Sequence, residues 1–193
     1  MAEPNPRATY DRIAEHFAAT RAYPWPEIES FVGDADPVGL GLDVGCGNGR
    51  HAEVLATRAE RVVAVDASRG LIRTARDRAA DRGFDADLVQ GDAATLPLRE
   101  ARVDLAVYVA TLHRLRSRER RIASLDELER VLAPGGLALV GVWSTTHDRF
   151  DAETGFDTTV DWTLPNGETV PRYYHIYDPV EFDGDLESSA LAV

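Results

Sequence analysis

Apolar positions follow two rhythms along this chain. Short, nearly unbroken apolar runs at residues 39–44, 61–66, 103–109 and 137–143 have the length and β-branched content of strands buried on both faces, and a shorter run stands at 87–90. Between them apolar residues recur every three to four positions. Tyr10, Ile13, Ala14, Phe17 and Ala18 mark one face of a helix over residues 8–21. Tyr23-Pro24-Trp25-Pro26 ends it, because proline restricts the residue before it, and Pro26 suits the first turn of a second helix reaching about residue 32. A loop fills 33–38. Further helices start at Arg50, run from a Ser68 cap to about Arg82, and cover 117–132, where Ala133-Pro134-Gly135-Gly136 stops the last one. Residues 144–170 read as an irregular acidic loop over the site. Alternating strands and helices predict an α/β fold, a mostly parallel central sheet with helices on both faces. The expected organisation is a single domain over residues 8–193, with 1–7 frayed.

The strand at 39–44 leads into Leu42-Asp43-Val44-Gly45-Cys46-Gly47-Asn48-Gly49. Glycines at a strand-to-helix turn bend the backbone tightly and let a ligand approach amides that a Cβ would shield. A dinucleotide fingerprint starting at Gly45 needs glycine at position 50, where Arg50 stands. The pattern present, D-x-G-x-G-x-G, resembles the first motif of class I S-adenosylmethionine-dependent methyltransferases, which are Rossmann-like. Ligands of such sheets sit beyond the carboxyl ends of the strands. Asp66 ends the second strand 17 positions after Gly49, where a carboxylate can accept both ribose hydroxyls; an acid favoured by the dipole of the next helix is the other reading. Asp92 follows the third strand and suits the adenine amino group, with Ala93 and Val109 as apolar walls. Gly45 and Gly47 lie beneath the methionine part, with Cys46 as a small packing residue between them.

Composition changes this picture in three ways. Acidic residues number 33 and basic residues 21, for a net charge of −12, and every basic residue is arginine. Such a surface suggests a halophile or a GC-rich genome, with self-repulsion screened by salt. One cysteine excludes an intrachain disulfide and a cysteine-rich zinc site. No segment reads as a signal peptide or a membrane span, so the expected compartment is the cytoplasm.

The acceptor is addressed by the flanking residues. Tyr10-Asp11-Arg12-Ile13-Ala14-Glu15-His16-Phe17 with Thr20-Arg21 and Trp25-Pro26, then Val109-Ala110-Thr111-Leu112-His113, Leu132-Ala133-Pro134-Gly135-Gly136 and Arg172-Tyr173-Tyr174-His175-Ile176-Tyr177, resemble the tRNA wobble-uridine carboxymethyl methyltransferases over roughly residues 8–182. The resemblance implies methyl transfer from S-adenosylmethionine to the carboxylate of 5-carboxymethyluridine. It adds Tyr10 to the cofactor residues and gives Arg21 as the cation holding the carboxylate. It also gives His113 as a catalytic or structural histidine, with Arg172 and His175 in the same pocket. At least one of Tyr173 and Tyr174 is expected to be an ordinary core aromatic. Two departures stand out. The family usually has two adjacent histidines where this chain has His113-Arg114, and it usually continues into a final strand pair not found before Val193. The expectation is a sheet short at that edge or a further C-terminal piece.

Arg114, Arg116, Arg118, Arg120 and Arg121 crowd into eight residues with one acid, Glu119. They read either as a phosphate-binding patch beside the pocket or as a solvated face with internal ion pairs. The short strand at 86–90 is expected at a sheet edge, blunted by Asp85 and Asp87 but flanked by Phe84, Leu88 and Val89. There the resemblance implies a partner, a small zinc-binding activator protein. Two other functions stay open: a methyltransferase of small metabolites, and a noncatalytic binding protein on the same fold.

Overall fold

The computed structural model describes residues 5–192. Residues 1–4 of the expected frayed start lie outside the described residues. Helix α1 spans Pro6–Ala19, two residues ahead of the expected start, because the Asn5 side chain accepts the Arg7 N–H and Pro6 fills the first turn. Next come α2 (Pro26–Asp34), β1 (Val38–Val44), α3 (Arg50–Leu55), β2 (Ala59–Asp66) and α4 (Arg69–Arg82). Ser68 caps α4 by accepting the Leu71 N–H, and Gly83 ends it in the left-handed conformation. β3 (Asp87–Gln90) and β4 (Val103–Val109) follow, then a single 3-10 turn (Leu112–Arg114), α5 (Arg118–Val131) and β5 (Leu132–Gly141).

Five strands pair in the order β3-β2-β1-β4-β5, every pairing parallel. Successive side chains along each strand point to opposite faces, so each strand feeds two cores. Leu42, Val44, Val63, Val65, Ala106 and Tyr108 pack with Leu125 and Leu128 of α5. Ala64, Leu105 and Val107 pack with Ile28, Val32, Leu55 and Ile72 of α2, α3 and α4. Helices therefore cover both faces, as expected.

Two expectations are corrected. β5 starts at Leu132 rather than 137, through a register shift opposite Val103 and Leu105. The segment expected as an irregular loop instead holds an antiparallel hairpin, β6 (Phe156–Thr163) and β7 (Thr169–Ile176), followed by α6 (Pro179–Ser188). Threonine, valine and tryptophan suit β6, and Asn166-Gly167 turns the chain, Gly167 taking a φ of +83°. The hairpin is a separate two-stranded sheet clasped to α1: Trp162 Nε1 donates to His16 Nδ1 at 3.1 Å, and Arg12 pairs with Glu168. Tyr174 of β7 shares a cavity with Val44 and Val109, at the carboxyl ends of β1 and β4. Among the described residues, no helix is long and apolar enough to cross a membrane.

Candidate active site

The turn after β1 is shaped by glycines in the left-handed conformation. Gly45 has a φ of +73°, and a Cβ there would lie 2.0 Å from Thr111 Oγ1. Gly47 (φ +56°) turns its N–H onto Asp66 Oδ2 at 2.9 Å, leaving the cavity side free of any Cβ. Asp66 Oδ1 accepts from the Ser68 N–H at 2.8 Å. Burial pushes the Asp66 carboxyl up to about 6, against the lowering effect of these two amides. Asp43, buried within β1, is pushed up to about 7 by burial and by the neighbouring Asp66, and its Oδ2 has no hydrogen-bond partner among the described residues. Burial likewise raises the Cys46 thiol, which leaves Cys46 the packing residue expected.

Above this turn opens a cavity of about 410 Å³. It brings together all the residues expected on the cofactor side: Tyr10, Gly45, Cys46, Gly47, Asp66, Asp92, Ala93 and Val109. Arg21, Arg114, Arg116 and Arg120 also line it. Asn48 Nδ2 donates to the carbonyls of Ala18 (3.2 Å) and Arg21 (2.9 Å), fastening the end of α1 to the glycine turn and so placing Arg21.

One wall is an alternation of guanidinium groups and aromatic rings. Arg21 lies over Phe17 (5.1 Å) and Trp162 (5.3 Å), Arg172 over Trp162 (4.7 Å) and Tyr174 (5.2 Å), and Arg114 over Tyr174 (3.8 Å) and Tyr10 (4.9 Å). Arg114 also donates to the Tyr10 hydroxyl and to the Ala110 carbonyl. Among the described residues none of the three is within ion-pair distance of a carboxylate, although Asp161 is near enough to be felt by Arg172. Nε and Nη1 of Arg172 are buried with no hydrogen-bond partner. Burial depresses all three guanidiniums, Arg114 to about 10. Arg172 is buried and Arg21 and Arg114 are partly so; an unpaired buried cation is costly, so this wall is chemically complementary to an anion.

A profile model of the methyltransferase domain matches residues 42–140, from the glycine-turn strand through β5. The chain belongs to the methyltransferase domain family. Over 135 residues it is 38% identical to the Xenopus tropicalis tRNA (carboxymethyluridine(34)-5-O)-methyltransferase alkbh8, covering 70% of this chain and 20% of that protein. It is 31% identical to the Saccharomyces cerevisiae protein described as tRNA (carboxymethyluridine(34)-5-O)-methyltransferase, covering 84% of this chain and 58% of the yeast one. The corresponding Schizosaccharomyces pombe protein is 28% identical, with 95% and 87% covered. The chain thus spans about one fifth of the length of the vertebrate relatives it matches. The resemblance read from the sequence is borne out by these relatives. Among solved structures, the CcbJ methyltransferase from Streptomyces caelestis superposes with a TM-score of 0.75 at 22% identity, covering 96% of this chain and 87% of that one, which bears out the Rossmann-like fold.

The methyltransferase departs from expectation at three places. His113 is fully buried outside the cavity lining: its Nδ1 accepts the Trp143 N–H at 3.3 Å, its ring stacks on Tyr174 at 5.1 Å, and burial pushes it down to about 3. It is a neutral prop behind Tyr174, away from the cavity where a catalytic group was expected. His175 is also outside the cavity lining, with Nδ1 2.7 Å from Asp157 and Nε2 2.9 Å from Glu181, so it ties β6 to α6 instead of touching a substrate. The arginine cluster follows the second of its two readings in part, with the pairs Arg118–Asp185 (2.6 Å), Arg120–Asp92 (2.6 Å) and Arg121–Glu181 (3.4 Å), while Arg114, Arg116 and Arg120 line the cavity as expected; Arg116 covers the Tyr173 ring at 4.7 Å. Of the residues expected at the substrate, Arg172 stands behind the lining, in the aromatic wall. Tyr174 is buried and faces the cavity, whereas the Tyr173 hydroxyl donates to Asp157 at 2.7 Å. Arg50 and Trp162 were missed. Arg50 was visible at the first position after the glycine turn, but Trp162 was hidden in the segment read as a loop.

Proposed function

We propose that this methyltransferase uses S-adenosylmethionine to esterify the carboxylate of 5-carboxymethyluridine at the wobble position of tRNA. The observation carrying this reading is the wall of Arg21, Arg114 and Arg172, three guanidiniums without carboxylate partners among the described residues, beside the glycine-turn cavity. The relatives described as carboxymethyluridine methyltransferases support it.

The residues present fit the cofactor. Gly47 offers a cradle that a Cβ would fill, Asp66 has lone pairs left for ribose hydroxyls, and Asp43 Oδ2 is an unpaired acceptor beneath the turn. Asp92 suits the adenine amino group and Arg50 the methionine carboxylate. When bound, S-adenosylmethionine supplies an electrophilic methyl group. The protein's task is then positional. A carboxylate is anionic at neutral pH, so no side chain has to remove a proton. The chain must hold one oxygen in line with the methyl group and keep water out. Arg21 and Arg114 present planar forks for the acceptor, and Trp162, Tyr174 and Phe17 restrict water around them.

The test is incubation with methyl-labelled S-adenosylmethionine and tRNA bearing carboxymethyluridine, followed by nucleoside mass spectrometry. A methyl ester released by mild alkali is expected. An alkali-stable methyl product, or label on free small acids but none on tRNA, would overturn the reading.

Cofactor affinity should depend on pH through Asp66. Its carboxyl is raised to about 6, so the ionised form that accepts ribose hydroxyls is lost as pH falls through that value. Calorimetry should find S-adenosylmethionine binding weaker by about tenfold at pH 5 than at pH 7, and clearly less sensitive to that change in Asp66→Asn, where Asp43 still titrates. A flat profile in the unaltered protein excludes Asp66 as the ribose acceptor.

The edge strand β3 remains the proposed seat of the zinc-binding activator. Leu88 and Val89 are half-buried there, and Arg61–Asp87 (2.6 Å) charges one end of the edge. Proline at Leu88 or Val89 should abolish the complex in pull-down; an undiminished complex would rule this edge out.

A further inference from the structure

Arg118, Arg120 and Arg121 are paired with carboxylates, so arginines outside that cluster are the ones available for further long-range attraction of RNA. Helix α4 carries Arg69, Arg73 and Arg76 at i, i+4 and i+7, within an arc of about 60° and over a rise of about 10 Å. All three are exposed, and none is within ion-pair distance of a carboxylate among the described residues. The stripe starts beside the cavity: Arg69 follows Ser68, which lines it, and exposed Arg7 of α1 stands at the same mouth. The acids around it do not cancel it. Asp77 flanks the stripe on α4, and Asp11, which faces α4 from α1, is held by the Ser68 hydroxyl and the Gly70 N–H, both at 2.8 Å. Such a run of positive charge is out of character for a chain with 33 acidic and 21 basic residues.

We propose that this face of α4 docks the phosphodiester backbone flanking the acceptor nucleotide, so that RNA enters the cavity along Arg76, Arg73 and Arg69. The proposal rests on the reading of the acceptor as a tRNA nucleotide. It follows from charge complementarity: a single strand presents regularly spaced anions, and exposed arginines that no carboxylate among the described residues holds match them by releasing counterions. Arg7 then closes the track at the cavity mouth. Ala80, next along the same face, is small and exposed and leaves it sterically open.

The experiment uses the full chain with Arg69→Gln, Arg73→Gln and Arg76→Gln combined. Its probe is an anticodon stem-loop RNA bearing carboxymethyluridine, and binding is followed by fluorescence anisotropy across a salt series. The triple variant should bind the RNA about tenfold or more weakly at low salt, with the slope of log K against log salt reduced by about two. S-adenosylmethionine affinity and melting temperature should be unchanged, because these side chains touch neither cavity nor core. Lysine at the same three positions should restore both affinity and slope. If the unaltered protein methylates tRNA and the triple variant keeps its affinity and slope, the docking face is wrong while the function stands. If the unaltered protein neither binds nor methylates the RNA, the function itself fails and this inference with it. Loss of binding to phosphatidylglycerol vesicles with RNA binding intact would also overturn the proposal.

Discussion

Arg21→Ala should lower kcat/KM for methyl transfer to carboxymethyluridine by roughly a hundred- to a thousandfold, while leaving the fold standing. A donor fixed against the reacting anion in a water-poor site is commonly worth about 3–4 kcal/mol of transition-state stabilisation. Arg21 is so fixed: Asn48 holds its carbonyl, Thr20 takes one of its N–H groups at 3.1 Å through the backbone oxygen, and Phe17 and Trp162 support the guanidinium plane. Its structural contribution is smaller. Two cation–π contacts at a half-exposed position amount to about 1–2 kcal/mol together, a loss that steady-state rates measured well below the melting temperature do not register. Arg21→Lys separates the two roles, because it keeps the charge and loses the planar fork. Its rate should fall between those of the unaltered protein and the alanine variant. Near-normal turnover of Arg21→Ala would remove the clamp from the mechanism. A large drop in melting temperature with an unchanged rate on the folded fraction would assign Arg21 to structure instead.

How much of this was legible in the residues depends on where each segment finds its partners. Buried parallel strands are apolar on both faces, so β4 stands out at its observed limits, 103–109, and the glycines after β1 mark the turn without further context. The hairpin β6–β7 was harder, since one face of each strand meets solvent. Phe156, Val160 and Trp162 are interleaved with Asp157, Asp161 and threonines, and the segment's acidity masked the alternation. Missing the hairpin also blurred Arg172-Tyr173-Tyr174-His175. Read as a strand, it puts Arg172 and Tyr174 on one face, in the aromatic wall, and Tyr173 and His175 on the other, where Asp157 receives both. The arginine cluster illustrates the opposite limit. Arg114 belongs to a turn and Arg118, Arg120 and Arg121 to successive faces of α5, so charges adjacent in sequence part company in space, toward Asp185, Asp92 and Glu181.

Asp185→Ala should be the most destabilising of the substitutions considered, lowering the melting temperature by roughly 10 °C or more. Asp185 is fully buried on α6 and joins three elements. Its carboxylate takes Arg118 Nε at 2.6 Å, lies 3.7 Å from Arg121 Nε, and accepts the Tyr177 hydroxyl at 3.0 Å. Arg118 is half-exposed and can turn to solvent, but Arg121 cannot, with a side chain only 4% exposed. Removing the carboxylate leaves that buried cation with Glu181 alone, at 3.4 Å, and weakening a buried charge network in this way typically costs about 3–5 kcal/mol. In a chain of this length each kcal/mol moves the midpoint by about 2–4 °C, which sets the expected size. Asp185→Asn keeps an acceptor for Tyr177 and loses only the charge, so it should fall between. Combining Asp185→Ala with Arg121→Leu should recover part of the loss, because the under-compensated buried cation is gone. Turnover of the folded fraction should stay within a few-fold of normal, since α6 reaches the cavity only indirectly, through Glu181, His175 and the hairpin strand bearing Arg172. Thermal unfolding of the three variants measures this directly. A melting temperature unchanged in Asp185→Ala would mean that Glu181, and not this carboxylate, balances Arg121.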